Sequence, residues 1–143
     1  MTVKQILNMK GSHTPTVLPG TKISTVIAAL EAEEVGALVV SSDGKHIEGI
    51  ISERDVVRGL LSLGKNVLNH KVSELMSSDV ITCTAHDPVA GIMAIMDDRN
   101  IRHVPVVDEG KLAGIVSIRD IIKLRLDEVQ ADADAMRRYI SNS

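Results

Sequence analysis

Apolar residues recur three and four apart through Ile23, Val26, Ile27 and Leu30, and again through Val89, Ile92, Met93 and Met96. That spacing lines up on one face of a helix. A β-branched run follows each series: Leu38-Val39-Val40, then Val104-Pro105-Val106-Val107. Turn residues come next, Ser42-Asp43-Gly44-Lys45 and Asp108-Glu109-Gly110-Lys111. Further apolar runs extend from Ile47 to Ile51 and from Leu112 to Val116. Second helices are predicted to begin at Ser52 and Ser117. Thr21 and Asp87 are predicted to cap the first helices, with Pro88 at a first helical position. Val80-Ile81-Thr82-Cys83-Thr84 reads as a buried strand.

The two series are one pattern written twice. Gly49-Ile50-Ile51-Ser52-Glu53-Arg54-Asp55 recurs as Gly114-Ile115-Val116-Ser117-Ile118-Arg119-Asp120, identical at five of seven positions. Upstream, Val35 to Val40 lies against Ile101 to Val106, and Val3-Lys4-Gln5-Ile6-Leu7 resembles Val72-Ser73-Glu74-Leu75-Met76. The chain thus reads as one unit over 1–64, a linker over 65–71, a second unit over 72–126 and an extension over 127–143. The linker holds Gly and Asn and little helical pattern. From Ile122 onward, Leu126, Val129, Ala133, Met136 and Ile140 continue at spacings of four and three, an a/d seam. The last helix is predicted to run on to about residue 140. Such a stripe suits a homodimer arm; the other reading folds it back on its own domain.

Composition narrows the function. The 143 residues carry 16 Lys+Arg against 19 Asp+Glu, a net charge of -3, which argues against a broad basic surface for nucleic acid. No apolar run approaches the roughly 20 residues of a membrane span. The first residues show no charged-then-apolar leader, so a soluble cytoplasmic protein is expected. The single cysteine, Cys83, has no disulfide partner. His13, His46, His70 and His86 lack metal-ligand spacing, so no metal is expected. There is no Phe or Trp and one tyrosine, Tyr139. The core must be aliphatic, and any bound base would sit between aliphatic side chains. No glycine-rich phosphate loop is present.

The chemistry-bearing feature is Ser-x-x-Asp, at Ser52/Asp55 and Ser117/Asp120. Two readings stand. Both pairs form helix caps, the serine accepting a free amide and the aspartate favouring the positive helix end. Alternatively the helix start is an anion site, the hydroxyl touching a phosphate and the carboxylate accepting a ribose diol. Arg54 and Arg119, between them, either neutralise phosphate or are solvated helix charges.

A β-α-β-β-α unit ending in Gly-hydrophobic-x-Ser-x-x-Asp, present twice over residues 1 to about 126, resembles a tandem pair of cystathionine-β-synthase (CBS) domains. The resemblance implies an α/β (α+β) fold of two repeats packed with pseudo-twofold symmetry, plus the long C-terminal helix. It implies two clefts for adenosine-containing ligands and a regulatory sensor in place of an enzyme. AMP is the first expectation, with ATP or NAD as alternatives, and a regulated protein as further partner. A barrel of roughly 250 residues, as in inosine-monophosphate dehydrogenase, does not fit this length. By the resemblance, Asp55 and Asp120 take the ribose and Ser52 and Ser117 the phosphate. Arg102 and His103 stand at positions that contact phosphate in the regulatory subunit of AMP-activated kinase, with Pro105 in the same strand. The first repeat has Gly36 and Ala37 there. The stronger cleft is therefore expected to join Asp120, Ser117 and Arg119 to Arg102 and His103, with adenine against Thr16, Gly36, Ala37 and Leu38. The weaker would use Asp55, Ser52 and Arg54 with Thr82. The competing expectation is a structural dimerisation module with no nucleotide.

Overall fold

The computed structural model describes residues 1–142. Helix α1 (Val3–Lys10) leads to β1 (Thr16–Val17), α2 (Ile23–Glu33), β2 (Ala37–Val40), β3 (Gly49–Ser52) and α3 (Glu53–Leu63). A 3-10 turn (Gly64–Asn69) and a short α4 (Val72–Leu75) connect to α5 (Val89–Arg99), β4 (His103–Asp108), β5 (Lys111–Ser117) and α6 (Ile118–Ser141). In the first repeat β1 runs parallel to β2, and β2 antiparallel to β3. In the second, β4 and β5 form a hairpin. Its turn residues Glu109 and Gly110 both have positive φ, 50° and 77°. That turn matches the right-handed twist of the strands it joins.

Two corrections concern local structure. The residues 80–84 do not form a strand. Cys83 alone bridges Val106, through Cys83 N–H to the Pro105 carbonyl and Val107 N–H to the Cys83 carbonyl. The next amide, Thr84 N–H, donates to Asp87 Oδ2 instead, and the chain turns away from the sheet. The first helices also start one residue later than expected, with Lys22 and Pro88 as N-caps and no side-chain cap bond. Their opening amides are satisfied from elsewhere: Ile23 N–H by the His70 carbonyl and Val89 N–H by the Met1 carbonyl. In return the Thr21 and Asp87 carbonyls accept from Val72 and Val3.

These bonds express an exchange between the repeats. Val3 and Ile6 of α1 lie in the core built by Val89, Ile92, Met96, Val104, Val116 and Ile121. Val72 of α4 lies in the core built by Ile23, Val26, Leu30, Leu38, Val40 and Ile51. Each start segment covers the other unit, so neither core is complete without both ends of the repeat array. Both cores are aliphatic, as the composition requires.

Helix α6 runs 24 residues, and its buried residues, Ile121 and Leu124, both lie in its first seven. At 1.5 Å per residue it is about 36 Å long. None of its residues beyond Leu124 is buried. Among the described residues no helix is long and apolar enough to cross a membrane.

Candidate functional site

Helices α3 and α6 begin alike. Ser52 Oγ accepts from Asp55 N–H, and Ser52 N–H donates to Asp55 Oδ2 at 2.9 Å. Ser117 accepts from Asp120 N–H at 3.1 Å, and Ser117 N–H donates to Asp120 Oδ2 at 2.8 Å. Both are complete capping boxes. Each carboxylate therefore has a structural task, which spends part of its accepting capacity and leaves lone pairs for a ligand.

A cavity of about 180 Å³ opens at the Asp55 cap. The first repeat contributes Gly36, Ile50, Ser52, Glu53, Arg54, Asp55 and Arg58; the second contributes Asn100, Ile101, Arg102 and His103, with Ser77 at the rim of the connection. Arg54 spans the repeats, donating from Nη1 to the carbonyl and to Oδ1 of Asn100, each at 3.3 Å. Arg58 Nη1 lies 3.7 Å from Asp55 Oδ1. Three guanidinium groups and an imidazole thus face two carboxylates, a balance that suits an anion with a polyol attached.

This grouping corrects the expected pairing. Arg102 and His103 line the cavity that holds Asp55, while His103 also lies within electrostatic reach of Asp120. The reason is the packing: the cap of one repeat meets the Asn100–His103 loop of the other, so a site draws on both. The expected assignment kept these cations with the aspartate of their own repeat, whereas the cavity joins them to the aspartate of the other. The Asp55 cleft is consequently the cation-rich one.

His103 is half-buried at this junction. Burial pushes its imidazole below the ordinary histidine range; the Asp120 charge opposes this, while Lys10 and Arg102 reinforce it. The ring reaches Gly36: a Cβ built there would sit 3.1 Å from its Cε1 and Nε2. Only a glycine leaves that imidazole its present room.

The remaining expected residues fall outside the cavity. Ala37 and Leu38 are buried at 4% and 1% exposure, Leu38 inside the first core, so neither offers a surface to adenine. Pro105 is buried in β4, and Thr16 is half-buried in β1 beside Val39. Thr82 is exposed and does not line the cavity. Arg119 is exposed at the start of α6. The sequence reading missed Arg58 and Asn100. Arg58 lies one turn after Asp55, and the repeat offset puts Lys123 at the same place after Asp120, a signal that was available. Asn100 is visible only in three dimensions, where it ends α5 with φ 53° and meets Arg54. Cys83 is buried, which pushes its thiol up to about 12 and leaves it no thiolate for chemistry.

Comparison with known proteins gives the fold its relatives. The chain is 32% identical to the mitochondrial CBS domain-containing protein CBSX3 of Arabidopsis thaliana, over 97% of this chain and 71% of that protein. It spans 35% and 54% of two archaeal relatives. The crystal structure of a CBS-domain containing protein from Agrobacterium tumefaciens superposes with a TM-score of 0.84 at 38% identity, over 87% of this chain and 99% of that one. A CBS domain protein of Pyrobaculum aerophilum, complexed with AMP, superposes at 0.73 with 30% identity, over 84% and 89%. The CBS domain pair of protein MJ0100, in complex with 5′-methylthioadenosine and S-adenosyl-L-methionine, does so at 0.78 with 28% identity, over 90% and 98%. The model of the CBS domain itself matches residues 3–62 and 72–127, the two copies of the repeat that build the cleft, and the chain belongs to the CBS domain family as a tandem pair.

Proposed function

We propose that this chain is a regulatory module that binds an adenosine nucleotide, AMP first, in the Asp55 cleft. The observation that carries the reading is the convergence of Asp55 from one repeat with Arg102 and His103 from the other on one cavity. In the proposed pose Asp55 Oδ1 accepts the ribose hydroxyls, Arg102 and Arg58 take the phosphate charge, and the neutral His103 imidazole donates a ring N–H to it. Ile50 and Ile101 supply the aliphatic walls for adenine. The relatives crystallised with AMP and with methylthioadenosine and S-adenosylmethionine share the adenosine group, which supports that class of ligand.

Binding at this seam is proposed to act on the angle between the repeats. Arg54 holds Asn100 across the junction, and a ligand that draws Arg54 to its phosphate favours one arrangement over another. Differential affinity for two states is the physical source of such a signal. The module is proposed to act as a homodimer in regulating a second protein and to perform no catalysis.

Competition tests the site without altering the protein. AMP is expected to outbind 2′-deoxy-AMP by roughly tenfold, because a buried charged acceptor left without its donor costs about 1.5 kcal/mol or more. Asp55→Asn, which keeps a capping oxygen, should weaken AMP by a similar factor, and Asp120→Asn should not. Equal affinity for the two sugars would leave Ser52 and Asp55 as caps only and favour the structural dimerisation module.

A further inference from the structure

The two halves of the molecule are near copies, yet their clefts are not. Arg119 and Lys123 follow Ser117 as Arg54 and Arg58 follow Ser52. The space at the Asp120 cap is nevertheless only about 50 Å³, lined by Ile6, Met9, Lys10, Asp120 and Lys123. The difference begins at the start segments. Helix α1 has eight residues, whereas its repeat α4 has four. After α4 the chain straightens, and Ser77 N–H bonds the Ile50 carbonyl beside the open cleft at 3.0 Å. Helix α1 instead continues one more turn and stops at Gly11, whose φ of 85° ends the helix directly after Lys10. That turn places the Lys10 side chain at the Asp120 cap. Its Nζ donates to Asp120 Oδ2 at 2.8 Å and to the Ile115 carbonyl at 3.0 Å.

We infer that Lys10 is a built-in occupant of the Asp120 cleft, so that each chain binds one nucleotide and not two. This rests on the nucleotide reading given above for the Asp55 cleft. The ammonium takes the carbonyl that the backbone of Ser77 takes in the other repeat, and it adds a charge-assisted bond to the carboxylate. Asp120 Oδ2 then accepts two donors, the Ser117 amide and Lys10. A ribose diol must displace the lysine to reach that carboxylate. No guanidinium lines this space, whereas Arg54, Arg58 and Arg102 line the open cleft, so a phosphate gains less here to offset the displacement. The site is closed by the chain's own side chain.

Stoichiometry reads this directly. AMP titrated into the nucleotide-free full-length chain should reach one molecule per chain, by equilibrium dialysis and native mass spectrometry, and Asp55→Asn should weaken that binding about tenfold. Lys10→Met should raise the number to two, and adding Asp120→Asn to that variant should return it to one. Lys10→Gln, which keeps a polar head, serves if the methionine variant does not fold. Two molecules on the wild-type chain, or an unchanged or smaller number on the folded lysine variant, overturns the inference. If the wild type binds none and the lysine variant binds one, the Asp55 reading fails while this one stands. Binding by neither sinks both.

Discussion

At the scale of single residues, the site is a set of groups with two duties. Asp55 and Asp120 each close a capping box, and each retains acceptor capacity. What separates them is the company: Arg58 at 3.7 Å for one, the Lys10 ammonium at 2.8 Å for the other. His103 carries the clearest pH dependence. Its imidazole is held below its ordinary range by burial. A depressed histidine is neutral in the fold and protonates more readily when unfolded, so its contribution to stability is present above the ordinary histidine value and is lost as pH falls through the lowered one. The ligand-free wild type should therefore lose denaturation midpoint as pH drops from about 7.5 to 5.5. His103→Gln should lose less over the same interval; an identical loss would mean that His103 titrates alike in both states. Gly36→Ala puts a methyl 3.1 Å from that ring. We expect it to weaken AMP severalfold while the melting temperature falls only a few degrees, since the imidazole can give way but then leaves the phosphate position.

At the scale of elements, the repeated motif hides unequal constraints. Gly49 and Gly114 occupy the same place before their Ser-x-x-Asp, and both lie in strands against a start segment. A Cβ on Gly49 meets Met76 Sδ and the Ser77 carbonyl oxygen, the latter at 3.0 Å. That oxygen is fixed by its bond from Ile50 N–H. A Cβ on Gly114 meets only the side-chain end of Leu7, at 2.7 Å. Gly49→Ala is thus expected to cost about 1–3 kcal/mol by overpacking against backbone. Gly114→Ala should cost less, because Leu7 can change rotamer. Urea midpoints of the two variants decide this, and a larger loss at Gly114 contradicts it. The helix starts make the same point about exchange. Thr21 and Asp87 look like caps in the sequence, but the amides they would serve bond to carbonyls of His70 and Met1. A side-chain cap becomes unnecessary when another segment brings a carbonyl to the helix start.

At the scale of the whole molecule, the exposed apolar residues also come in repeat-related pairs. Val57 and Ile122, Leu61 and Leu126, and Ile27 and Met93 are all exposed, Leu61 at 88% and Leu126 at 64%. A face that nearly repeats itself by pseudo-twofold symmetry suits an isologous contact between two copies. Val129 and Met136 of α6 continue the stripe past the repeats. A charge placed in such a seam is desolvated without a partner. Leu126→Glu should therefore weaken self-association at least tenfold, and removal of residues 127–143 should weaken it further. Sedimentation velocity over a concentration series measures both; a tight dimer surviving each change places the contact elsewhere.

The duplication, the aliphatic cores, the second-helix starts at Ser52 and Ser117 and the length of α6 were all legible in the sequence. Each depends on local information: period, cap chemistry, and one stretch compared with another 65 or 66 residues away. Tertiary structure decided which aspartate received the cations. Two repeats related by a twofold bring the cap of one against the loop of the other, so the partners of Asp55 stand nearly 50 residues downstream, and no local signal records that crossing. Tertiary structure also decided that Ala37 and Leu38 are buried, Leu38 inside the first core, because a β-branched run is read equally well as a cleft wall or as a packed strand. Lys10 is the sharpest instance. In the sequence it is one lysine among solvated charges near a glycine. One extra helical turn in α1, absent from α4, sets its ammonium on Asp120, and that single placement makes two nearly identical halves unequal.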